Sequence, residues 1–119
     1  MGSWRLGLAL LAGSLAAAAS PAAVPHDPVV ARGEQIARLV CSACHVVAAD
    51  QEIPPMLAKP APSFASIANR PGTTAQSVAR FVSSTHWDFE TLPMKMPDLM
   101  MTKSEATAVS RYLMSLRTP

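Results

Sequence analysis

Two cysteines, three positions apart and followed at once by a histidine, constrain this chain more than any other feature of its 119 residues. Cys41-Ser42-Ala43-Cys44-His45 contains the only cysteines present. Thiols at this spacing lie one helical turn apart, within reach of the two vinyl groups on one side of a porphyrin. An imidazole directly after them is placed to ligate the iron. The competing readings of C-x-x-C are a structural or redox disulfide and half of a zinc site. A redox pair ordinarily follows a strand in a βαβ pattern, which is absent, and structural zinc needs a second ligand pair that the chain lacks. The motif therefore predicts one haem c, covalently attached through Cys41 and Cys44, with His45 as an axial ligand.

The first quarter of the chain has a different composition from the rest. Arg5 supplies a positive start, residues 6–19 are apolar and small, and the following stretch turns polar and Pro-rich, the pattern of a secretory signal peptide. Ala17-Ala18-Ala19, and more weakly Ser20-Pro21-Ala22, offer A-x-A cleavage patterns. Residues 1–22 are read as the signal peptide, with cleavage between 19 and 23, and residues 23–119 as a single domain. The apolar run is shorter than the roughly 20 residues that span a bilayer, so no stable membrane insertion is expected after cleavage and the mature protein is placed in the periplasm. Ten Lys and Arg against eight Asp and Glu give a net charge of +2, or +1 once Arg5 is removed. A near-neutral chain of this kind suggests neither a nucleic-acid partner nor strong electrostatic steering.

Along the mature chain the hydrophobic periodicity is helical. Asp27 can cap and Pro28 suits a first helical position; Val29, Ile36, Val40 and Leu39 then form a stripe that runs into the cysteines. Residues 46–62, with Pro54, Pro55, Pro60 and Pro62, read as loop. A short helix is predicted over residues 63–69, ended by Arg70-Pro71-Gly72. An amphipathic helix over 74–85 carries Val78, Phe81 and Val82 on one face. Residues 87–101 return to loop, with methionines at 94, 96, 100 and 101. Thr102 and Glu105 form a T-x-x-E capping box before Ala106, Val109, Tyr112, Leu113 and Leu116 at helical spacing. No alternating strand pattern appears, so the fold class is all-α, three to four short helices joined by long loops.

From Ala31 to Leu116 the sequence resembles the class I c-type cytochromes, which implies the cytochrome c-like fold around one haem. Arg32-Gly33-Glu34-Gln35-Ile36 before the haem motif is similar to the family's first helix, in which a glycine lets the last helix cross closely. Val109, Tyr112 and Leu113 resemble the other side of that crossing. Glycine inside a helix costs about 1 kcal/mol relative to alanine, so a packing use is expected. Ala37 departs from the pattern, since many members carry an aromatic there.

The resemblance extends to the site. Met96-Pro97, a few residues before the Thr102 cap, matches the family's sixth-ligand segment and implies His45/Met96 ligation of the iron. Met94, Met100 and Met101 stay open as alternatives, and packing is the ordinary use of extra methionines. His86 is a rival ligand, better suited to a surface or helix-end role, and His26 is expected to be exposed. Pro62-Ser63-Phe64-Ala65-Ser66-Ile67-Ala68-Asn69-Arg70 resembles the segment in which a proline carbonyl receives the N–H of the axial histidine. By that analogy Phe64 and Ile67 line the pocket and Arg70 meets a haem propionate. Trp87 is similarly placed to cover haem and bond a propionate.

Filled axial positions imply an electron carrier, not an enzyme, shuttling one electron between redox partners such as a dehydrogenase, oxidase or reductase. The protein is expected to be a monomer or a subunit of such a complex. A haem enzyme or gas sensor with a labile sixth ligand is the alternative from another class, and no paired carboxylates or nucleophile and base arrangement supports it.

Overall fold

Asp27 begins the first helix as its N-cap: its carboxylate accepts the backbone N–H of Val29 at 2.9 Å, with Pro28 at the first helical position. In the computed structural model, residues 26–57, 59, 61–84 and 96–119 are described. Helix α1 spans Pro28–Ile36 and passes directly into a π-helical turn over Ala37–Cys41. After a long loop come α2 (Phe64–Ala68), α3 (Ala75–Val82) and α4 (Lys103–Ser115). The described residues contain no strand, and none of their helices is long and apolar enough to cross a membrane.

Each predicted helix begins on its own cap. Ser63 caps α2 through the N–H of Ser66 at 3.1 Å. Thr74 and Ser77 form a reciprocal capping box on α3, and Thr102 and Glu105 do the same on α4. The hydroxyl and backbone of Thr102 hold the Glu105 carboxyl below its ordinary range. Between α2 and α3 the chain turns at Gly72, whose φ of 78° is open to glycine at no steric cost.

The core forms where α1 crosses α4. A Cβ at Gly33 would be driven into the Ala108 carbonyl group and would sit 2.8 Å from the Tyr112 Cβ, so glycine is what lets the backbones meet. Around this contact are buried Ile36, Ala37, Ala108, Val109, Tyr112 and Leu113, joined by Val78 and Val82 from α3 and Phe64 and Ala68 from α2. Ala37, fully buried, fills its place at the crossing without an aromatic ring.

The π turn revises the expected apolar stripe. Ser42 donates its N–H to the Ala37 carbonyl, five residues back, at 3.1 Å. The wider turn keeps Cys41 on the face of Gly33 and Ala37, where regular helical geometry would carry it around the axis. Cys41 is consequently buried, while Leu39 and Val40, counted in the stripe from sequence, are 83% and 43% exposed. Phe81 is also turned outward from the α3 face, at 54% exposed, although Val78 and Val82 are buried as their spacing predicts.

Candidate functional site

The C-x-x-C-H segment leaves the π turn in a tight bend. Cys44 and His45 both donate their backbone N–H to the Cys41 carbonyl, at 3.1 and 2.9 Å. This wraps the two sulfur-bearing residues around one turn and delivers the imidazole just past it. Both cysteines are free thiols, Cys41 buried and Cys44 partly exposed. Burial, with Cys44 nearby, pushes the Cys41 thiol up to about 11, so it stays protonated at neutral pH.

His45 is held through one ring nitrogen. Its Nδ1–H donates to the Pro62 carbonyl at 2.7 Å, the only assignment a carbonyl acceptor permits. Nε2 is thereby left as the nitrogen that can bind a metal. The Phe64 ring meets the imidazole edge to face, with centroids 5.6 Å apart, and Phe64 is itself buried. Ile67 is partly buried against the same cluster, and so are Met96 and Met101. Met100 instead points outward, 87% exposed, on a positive φ of 49° stabilised by its N–H bonding the Asp98 carboxylate at 2.8 Å. Arg70 is exposed just past α2. Trp87, Met94, His86 and residues 1–22, read from sequence as a signal peptide, lie outside the described residues.

Several residues that position this site were not singled out from sequence. Gln51 clamps the loop after His45: its Oε1 accepts the Val47 N–H at 2.8 Å, and its Nε2 donates to the Ile53 carbonyl at 2.8 Å. The same Nε2 is within 3.4 Å of the His45 carbonyl. Tyr112 donates its hydroxyl to the Val47 carbonyl at 2.9 Å, across 65 residues of sequence. Burial raises the Tyr112 phenol above its ordinary value, which keeps it a donor. Val47, 1% exposed, is thus gripped at both backbone ends. Arg117 caps the far side, its guanidinium donating to the carbonyls of Ala68 at 2.8 Å and Thr73 at 2.7 Å. Gln51 lies within the polar run Asp50-Gln51-Glu52, which does not single it out, and nothing local marks Arg117.

The donor set fits a covalently held haem. It comprises two free thiols one turn apart, an imidazole oriented through its other nitrogen, and a thioether side chain packed on the same apolar cluster. Among the described residues no cluster of three or more His, Cys, Asp or Glu side chains is arranged to hold a metal ion, so the zinc reading gains no further ligands. An all-α frame crossing at a glycine and presenting this motif at the end of its first helix defines a small c-type haem protein.

Comparison with known proteins agrees. The family model for cytochrome c matches residues 30–117. Cytochrome c-552 of Bradyrhizobium diazoefficiens is 33% identical over 101 residues, covering 85% of this chain and 86% of the relative. No solved structure matches the chain. The chain belongs to the cytochrome c family, as a class I c-type cytochrome, and is an electron-transfer haem protein.

Proposed function

We propose that the protein is an exported carrier of single electrons, with one haem c thioether-linked to Cys41 and Cys44 and ligated by His45 and Met96. The observation that carries this reading is the prepared motif: two free thiols on one turn, with the adjoining imidazole oriented by the Pro62 carbonyl at 2.7 Å. Bound there, haem supplies a one-electron Fe(III)/Fe(II) couple. His45 contributes Nε2, and its bond to Pro62 resists ring rotation and raises its basicity. The soft sulfur of Met96 would favour the reduced metal and leave no ligand site open to substrates. Phe64 and Ile67 would provide apolar cover and Arg70 would offset propionate charge; the family resemblance assigns Trp87, outside the described residues, to a propionate. No residue is assigned a catalytic role.

Electron exchange takes place with redox proteins of the periplasm, either by a free carrier or by a small subunit of a dehydrogenase or oxidase complex. Met56 supports a contact surface next to the motif. Its N–H bonds the Ala43 carbonyl at 2.9 Å and its side chain is 82% exposed, giving an apolar rim suited to small, short-lived interfaces.

The test is the mature protein purified from cells able to attach haem. Its mass is expected to equal the polypeptide plus one haem, and its iron to be low-spin with a methionine-to-ferric charge-transfer band. Met96→Ala is expected to abolish that band. A colourless product overturns the cofactor, and wild-type high-spin iron that binds carbon monoxide readily supports the enzyme or sensor. A native spectrum in Met96→Ala transfers ligation to another methionine.

A further inference from the structure

We propose that the groove between α3 and α4 is a second docking surface, which binds a short, extended, acidic segment of a protein partner. The inference goes beyond the haem reading and is built on different residues. Ala75, Ala79 and Ala106 form a shallow apolar floor, and Arg80, Lys103 and Arg111 stand along the groove, which encloses about 510 Å³. Among the described residues no carboxylate lines it, and Asp27 reaches Arg111 at its edge.

Among the described residues the cations are either committed to a partner or, like Arg32, Lys59 and Arg70, exposed without an ion pair. Arg38 is committed to Glu34 at 2.8 Å and Asp50 at 2.6 Å, and Arg117 to backbone carbonyls. Arg111 pairs with Asp27 at 3.1 Å and stays half-exposed. Arg80 and Lys103 are exposed and form no ion pair among the described residues. The groove thus gathers three exposed cations, two of them without an ion pair among the described residues, beside one apolar floor.

Size and shape select the occupant. Lys103 and Arg111 are eight residues apart on α4, which places the ends of the rim about 12 Å from each other. That length seats about four residues of extended chain and exceeds what a single phosphate can span. The alanine floor admits a peptide backbone with small side chains while the rim meets carboxylates. Val78 and Val82 turn the other side of α3 into the core, so the groove face of the helix is the one left for a partner. Such a segment would keep the carrier attached to one partner during electron exchange.

The experiment titrates the isotope-labelled mature holoprotein with an acetylated, amidated hexapeptide of alternating Glu and Ala. Saturable NMR shifts are expected at Gln76, Arg80, Ser83, Lys103 and Thr107. Arg80→Glu combined with Lys103→Glu is expected to weaken binding at least tenfold, while Arg32→Glu with Lys59→Glu, equal in net charge, changes it less than threefold. Raising salt weakens binding, and the Gln version of the peptide does not bind. Should the charge reversals melt the protein, Arg80→Gln with Lys103→Gln is expected to cost at least threefold. Absent or non-saturable binding, shifts centred elsewhere, or equal losses in the two charge-reversed pairs overturn the proposal. It is likewise overturned if inorganic phosphate or phosphatidylglycerol vesicles give the same shifts at equal charge concentration.

Discussion

At the crossing of α1 with α4, backbone rests on backbone across Gly33 and Ala108, with buried side chains packed on every flank. In the loop over residues 46–62, Ile53 and Met56 stand exposed, and the chain is ordered by a few side chains reaching for backbone groups. The first region is specified by volume, where a single added carbon has nowhere to go. The second is specified by hydrogen bonds, where a lost donor leaves a buried carbonyl without a partner. Both meet at His45, whose segment leaves the crossing helix and whose ring is fastened to the end of the loop. The precision of the axial ligand thus depends on two kinds of order that fail differently.

The sharpest way to break the crossing is Gly33→Ala. Alanine improves helix propensity by about 1 kcal/mol, yet its Cβ collides with the Ala108 backbone, which cannot move as a side-chain tip can. A net loss of about 3 kcal/mol is expected from the denaturant midpoint, and unchanged stability would refute the close approach. On the loop side, Tyr112→Phe leaves the Val47 carbonyl buried and unbonded, an expected loss of about 1–2 kcal/mol. Gln51→Leu is expected to cost about 1 kcal/mol. Because both side chains grip Val47, the double variant should depart from additivity by about 0.5 kcal/mol or more; strict additivity would mean the two bonds act independently.

The smallest effect is electrostatic. The Arg38 guanidinium holds the Asp50 carboxyl below its ordinary range, a link between the π turn and the loop. A carboxyl lowered in the folded state stabilises it above the ordinary carboxylate range, and that contribution is lost as pH falls through the lowered folded value. Thermal melts should therefore fall on acidification, and Asp50→Asn should remove part of the slope. With Asp50 77% exposed, the share is small, and a steeper slope in the variant would contradict the assignment.

Much of the frame was legible in advance because its signals are local. Asp27, Ser63, Thr74 and Thr102 each cap the helix that follows, and Gly33 anticipated a close crossing. The pairing of His45 Nδ1 with the Pro62 carbonyl was anticipated by resemblance, and the structure places it at 2.7 Å. Leu39, Val40 and Phe81 were misplaced, since apolar spacing assumes a regular helix and a fully covered face. The π turn violates the first assumption, and Phe81 the second.

By itself the sequence determined the class of chemistry, through two thiols and an imidazole whose spacing along the chain is covalent and survives any fold. It also determined where helices start, because caps act over three or four residues. Only the tertiary structure decided which backbone meets Gly33, which carbonyls Gln51, Tyr112 and Arg117 seek, and which cations come together along α3 and α4. Those contacts join residues as far apart as Gly33 and Ala108, and their energies exist only once packing has brought the partners together.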